Sequence, residues 1–255
     1  MALISSLSYT NKTTASAVSK EWGFNKCQFI SVKKKPDIDT QCLVLADDQN
    51  IIIAFRGSES AEDWFANFQA VTDPGPLNNT KAHEGFQDAL YPTVIRLTET
   101  INRFSDNDQK LWITGHSLGG ALCSLHAGML AENGFEVYGI YTFASPRPGD
   151  KDFADELMAK IKGPHFRVIN SGDVVPHVPP EPFFSHPGNR VILKKTTRTS
   201  TAPSWMSERK FVLGLFVKAT GRIKQVLDLK KVHVLDGDPA KSYIPKLIKL
   251  VNKEA

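Results

Sequence analysis

Apolar and polar residues alternate along this chain in short blocks, and the length of each block predicts an element. The run Cys42–Ala46, the polar stretch Asp47–Asn50 and the run Ile51–Phe55 read as strand, turn and strand. Before them, the stretch from Thr14-Ala15-Ser16-Ala17 to Trp22-Gly23 reads as helix. After Phe55, Arg56-Gly57-Ser58 leads into an amphipathic helix: Ser60-Ala61-Glu62-Asp63 resembles a capping box, and Ala61, Trp64, Phe65 and Phe68 share one face. Gly85–Phe104 predicts a longer helix, interrupted or bent near Pro92, which lacks a backbone donor and crowds the preceding turn. Val137–Ala144 and His165–Ile169 read as buried strands, with a helix over Lys151–Ile161 between them. Strands alternating with helices predict a mostly parallel sheet covered on both faces. With no internal repeat, low-complexity tract or linker, residues 1–255 read as one domain.

The sharpest local signal is Leu111-Trp112-Ile113-Thr114 running into Gly115-His116-Ser117-Leu118-Gly119. A serine held out above the end of a strand needs a very tight turn before the next helix. Side chains two positions either side of it would collide with neighbouring elements, and glycine at both places removes them. The helix from Ser117 to about Glu132 then closes at Asn133-Gly134, a good C-terminal stop. Ser117 is therefore the candidate nucleophile. The competing reading is a glycine-rich turn with a bystander serine.

Composition leaves this picture intact and narrows the rest. The 255 residues are 41% hydrophobic and 23% charged, as expected of one ordinary globular core. No apolar run approaches the ~18–20 residues of a membrane span, and Met1–Cys27 lacks the pattern of a secretory signal. Cys27, Cys42 and Cys123 read as buried thiols with at most one Cys27–Cys42 bridge, slightly favouring a reducing, cytoplasmic setting over a secreted mature form. No Cys/His spacing suggests a metal, and nothing suggests nucleic acid. The net charge of +4 is uneven. Arg190–Lys231 holds eleven Lys or Arg against two acids, a local +9 that leaves −5 elsewhere. Such a stretch fits peripheral contact with an anionic lipid interface, or a solvated cationic face. The apolar run Phe211–Val217 inside it reads as core, a flap over a pocket, or a lipid-contacting edge.

A serine hydroxyl needs a base to take its proton, and the base needs an orienting acid. In hydrolase order both follow the serine. Asp173 suits the acid, lying just past the His165–Ile169 strand, whereas Asp150, Asp152 and Asp155 surround a helix start and cap or solvate it. Two backbone donors must meet the oxyanion. Leu118 supplies one, and Ser58, after Phe55-Arg56-Gly57, suits the other unless it merely begins the next helix.

These motifs recur in order with His83-Glu84-Gly85-Phe86, Ala144-Ser145-Pro146-Arg147-Pro148-Gly149-Asp150, Asp173-Val174-Val175-Pro176-His177 and Phe184-Ser185-His186-Pro187-Gly188. The succession resembles the class 3 lipases, the fungal-lipase-like branch of the α/β hydrolases. The resemblance implies an α/β-hydrolase fold, a Ser-Asp-His acyl hydrolase and a helical lid at 58–71, with Trp64, Phe65 and Phe68 toward substrate. In that family the base usually lies a few residues before a Tyr in a closing helix. Here Tyr243 resembles that Tyr, Asp238 stands five residues before it, and the nearest histidine, His233, stands ten before it. Gly237 and Pro239 would let a loop absorb the difference, so His233 is the expected base. The implied function is a triacylglycerol lipase without cofactor or metal. Phospholipase A1, a short-chain or aryl esterase, and a catalytically silent lipid-binding relative remain as alternatives.

Overall fold

The computed structural model describes residues 1–34, 38–58, 69–194, 233–236 and 241–254. Two N-terminal helices, α1 (Ala2–Leu7) and α2 (Lys12–Glu21), precede three strands: β1 (Lys26–Lys34), β2 (Ile38–Ala46) and β3 (Asn50–Phe55). A small hairpin, β4 (Thr72–Pro74) with β5 (Lys81–His83), leads into α3 (Glu84–Phe104). Then come β6 (Lys110–His116), α4 (Leu118–Glu132), β7 (Val137–Phe143), α5 (Lys151–Lys160), β8 (His165–Asn170), β9 (Asn189–Leu193) and α6 (Tyr243–Glu254). The main sheet runs β1-β2-β3-β6-β7-β8-β9. Its β1–β2 and β2–β3 pairings are antiparallel, and β3 to β9 are parallel.

Strand alternation explains the three-layer build. Cys42, Val44, Ile51, Ile53 and Phe55 point into a core shared with α3, α4 and α5. Their alternates Leu43, Leu45, Ile52 and Ala54 pack on the opposite face beneath the N-terminal helices. Both parities are buried, so these strands read as continuous apolar runs rather than alternating ones. Farther along that second face, Tyr243 and Ile244 of α6 cover Phe143, Val168 and Leu193. Helix α4 carries the longest buried stretch and lies between β6 and β7, which fixes the turn before it.

The structure sharpens three sequence readings. Pro92 does not interrupt α3, which continues through it because Phe86, Leu90, Leu97 and Ile101 anchor the helix on both sides. No Cys27–Cys42 bridge forms: Cys27 lies opposite Leu45 and Cys42 opposite Ile30, and the two thiols belong to different faces of the sheet. The sheet is also extended by β1 and β9, which the apolar pattern did not reveal. No helix among the described residues is long and apolar enough to cross a membrane.

The interior holds neutral histidines. His126 of α4 is fully buried against the edge of Phe55, and neither ring nitrogen has a partner among the described residues. Burial lowers its pKa to about 3. A histidine lowered in the fold binds its proton only on unfolding, so stability is full above about pH 6.5 and falls below it, by about 1.4 kcal/mol per pH unit for each such group. Urea midpoints measured from about pH 7 to about pH 5 should therefore decline, and His126→Leu should reduce that slope. An unchanged slope in the variant would show that His126 is not held neutral.

Candidate active site

Gly115 and Gly119 frame a turn with no room for side chains. A Cβ on Gly115 would stand 2.1 Å from the Gly119 carbonyl oxygen, and one on Gly119 would stand 2.3 Å from that of Phe55. Ser117 sits between them with φ 56° and ψ −131°, a strained conformation for a residue with a side chain. Its N–H donates to the Phe143 carbonyl at 3.0 Å, tying the turn to β7. Leu118 opens α4, where first-turn N–H groups lack an intrahelical acceptor. Ser58 follows β3 and is half-buried. The preceding Gly57 presses on the turn, since a Cβ there would meet the Ser117 Cβ at 3.0 Å.

Asp173 and His233 meet at the carboxyl end of β8. His233 Nδ1 lies 3.0 Å from Asp173 Oδ2 and 3.2 Å from Oδ1. Asp173 is 1% exposed and also accepts from Tyr243 Oη at 2.7 Å and from the Val175 N–H at 3.0 Å. Burial pushes the carboxyl pKa up, but the His233 charge and the hydrogen bonds from His233, Tyr243 and Val175 outweigh it and hold the group below its ordinary value. Among the described residues, His233 Nε2 has no hydrogen-bond partner, so the Ser117 hydroxyl does not bond to it here. Catalytic hydrogen bonds are often long or misaligned without substrate.

A second chain of bonds was invisible in the sequence. The Gly57 N–H donates to Tyr9 Oη at 3.1 Å, Tyr9 Oη lies 2.8 Å from His116 Nδ1, and His116 Nε2 lies 2.7 Å from the His233 carbonyl oxygen. A carbonyl only accepts, so the His116 proton is on Nε2 and Tyr9 donates to Nδ1. Burial first, then the nearness of His233, lowers the His116 pKa to about 3 and keeps that tautomer neutral. The His116 and His233 rings stand 4.7 Å apart, which sets His233 beside the serine turn. The His186 ring is spent elsewhere, since its Nε2 bonds to the Pro176 carbonyl, and the His177 backbone carbonyl accepts from Arg147. Asp150 caps α5 through the Phe153 N–H. Trp64, Phe65, Phe68, Asp238 and the Phe211–Val217 run lie outside the described residues.

A mostly parallel sheet carrying a strained serine between β6 and α4 defines an α/β hydrolase. The family model "Lipase (class 3)" matches residues 52–183, and the chain belongs to that family. It is similar to a lipase of Rhizomucor miehei, 38% identical over 59% of this chain and 44% of that protein. It is also similar to the secreted mono- and diacylglycerol lipase A of Penicillium cyclopium, 31% identical over 60% of this chain and 55% of that protein. The chain thus spans about half the length of these curated relatives. Among solved structures, a triacylglycerol lipase described as having a serine protease triad at its catalytic centre matches with a TM-score of 0.63. That match has 26% identity and covers 83% of this chain and 89% of the other.

The Asp173 environment is testable without any assay of activity. Tyr243→Phe leaves a buried carboxylate oxygen and the Asn170 N–H, which bonds to Tyr243 Oη, without that partner. We expect a loss of about 1–3 kcal/mol in denaturant unfolding. The variant should also unfold at higher pH during acid titration, because the carboxyl pKa rises when a bond to its charged form is removed. Wild-type values in both measurements would exclude the bond.

Proposed function

We propose that this chain is a serine-dependent carboxylic ester hydrolase acting on lipid esters, with triacylglycerols as its main substrate class. The observation that carries the reading is the Asp173–His233 pair beside the strained Ser117 turn. Family membership and the names of the relatives support the substrate class.

In this mechanism Ser117 Oγ attacks the ester carbonyl while His233 Nε2 takes the hydroxyl proton. Asp173 accepts from Nδ1–H, which fixes the tautomer and balances the imidazolium that forms. The oxyanion is met by the N–H of Leu118 and by the N–H and hydroxyl of Ser58. His233 then protonates the departing alcohol, and water attacks the acyl-enzyme by the same route in reverse. Tyr9 and His116 act as positioning residues that hold the His233 backbone while Asp173 holds its ring. The segment 58–71 acts as a lid whose apolar face, Trp64, Phe65 and Phe68, meets the lipid.

Ser117→Ala and His233→Ala should each lower turnover of a soluble p-nitrophenyl ester by roughly 10⁴–10⁶, and the double variant should be little worse than either. His177→Ala should keep most activity. If His233→Ala retained a large part of the wild-type rate, His233 would not be the base. A panel of triacylglycerols, phospholipids and short-chain esters ranks the substrate classes, and a preference for phospholipid would replace triacylglycerol in this reading.

The lid assignment has its own test. Replacing Trp64 and Phe68 by Ser should depress hydrolysis of an emulsified long-chain ester well below that of a dissolved short-chain ester. Equal losses on both would instead give these side chains a role in the core.

A further inference from the structure

Arg167 of β8 and Arg190 of β9 are register partners on adjacent parallel strands, with Thr142 of β7 next in the same row. Residues so paired present their side chains to the same face about 4.8 Å apart. Val168, Val191 and Leu193 take the opposite parity and pack with α6, so the arginines occupy the face away from that helix. Like charges on neighbouring strands repel and destabilise the pair.

The surroundings add charge rather than relieve it. Arg147 is 8% exposed and donates to the carbonyls of His177 and Pro179, at 2.6 and 2.8 Å. Its ion pair with Glu181, at 3.0 Å, engages a carboxylate whose field reaches Arg167. Arg167 Nε is buried and has no partner among the described residues, while Arg190 is exposed to solvent. Burial, then Arg190, then Arg147 lower the Arg167 pKa to about 10. His186 is held neutral by burial and by the same two arginines, Arg167 and Arg147. Among the described residues, three guanidinium groups therefore stand against one carboxylate, with Arg167 half-buried and Arg190 exposed.

We propose that Arg167 and Arg190, framed by Arg147 and the 177–188 loop, bind a phosphate-class dianion. A monocarboxylate is satisfied by a single guanidinium fork, whereas a tetrahedral dianion offers separate oxygens to two forks and cancels both charges. The site lies at the start of the basic Arg190–Lys231 segment. The phosphate could be free in solution or belong to a lipid headgroup.

Thermal unfolding of the full chain in potassium phosphate and in potassium chloride, at matched ionic strength and neutral pH, decides the proposal. Phosphate should raise the wild-type midpoint by about 3–6 °C over chloride, since a ligand that binds only the folded state stabilises it. Arg190→Glu should melt higher than wild type in chloride, because it gives Arg167 an ion-pair partner, and should show no phosphate increment. Arg167→Gln should lose the increment as well. Identical midpoints in the two salts, or an increment that survives in Arg190→Glu, would overturn the site. With the increment established, vesicles of phosphatidylcholine with and without phosphatidate identify the source. Phosphatidate binding that Arg190→Glu weakens and inorganic phosphate competes away assigns the site to a headgroup, and binding indifferent to both assigns it to free phosphate.

Discussion

A carboxylate removed from water must be met by donors, or it takes up a proton. Asp173 meets that demand from three separate parts of the chain. The Val175 N–H belongs to its own loop, the Tyr243 hydroxyl to α6, and Nδ1 to His233. Tyr243 Oη in turn accepts the Asn170 N–H at the end of β8, and the Asn170 side chain bonds to Lys246 and to the Lys241 carbonyl. The docking of α6 and the assembly of the site are therefore one interaction. Each donor is held by the charge it satisfies, and removing any one leaves the others around a carboxylate that costs more to bury.

The position of the proposed base in the chain follows from the same geometry. Family patterns count residues back from Tyr243, and by that count Asp238 occupies the expected place. Counting matters less than anchoring. His233 is fixed at two points, its ring to Asp173 and its carbonyl to His116 Nε2. A loop between His233 and Tyr243 can change length as long as both ends stay fixed, because loop closure depends only weakly on length. The backbone also ties in directly: the Tyr243 and Ile244 N–H groups donate to the carbonyls of Val234 and Leu235. These bonds begin α6 where the His233 segment ends, so the two move as a unit.

Legibility in the sequence tracked how local each constraint was. The serine turn was readable because a close approach between Gly115 and Gly119 excludes side chains and leaves glycine as its trace. Strands β3, β6 and β7 were readable because both of their faces are buried. Strand β1 was not, since Lys26, Lys33 and Lys34 interrupt its pattern at the sheet edge, and β9 was hidden by Asn189 and Arg190 in the same way. Edge strands need only half an apolar pattern. Asp173 followed from its place after a strand, whereas Tyr9 carried no signal. Its bonds span 48 residues to Gly57 and 107 to His116, and no spacing rule marks such a contact. Tyr243 was visible as a landmark, but its bond to Asp173 was not.

The neutrality of His116 bears on the chemistry more than its distance from substrate suggests. In the proposed mechanism His233 becomes an imidazolium each time Ser117 loses its proton. Its ring then stands 4.7 Å from that of His116. A second cation at that separation would oppose the charge that Asp173 is placed to stabilise, and at an effective dielectric constant of 20 the cost is on the order of 3–4 kcal/mol. Burial of His116 prevents this, because its pKa of about 3 keeps it uncharged near neutral pH. The nearness of His233 is already one of the causes of that lowering, second to burial. His116 therefore serves as a neutral donor to the His233 carbonyl, holding the backbone of the proposed base without adding a field against the charge that the mechanism gives it.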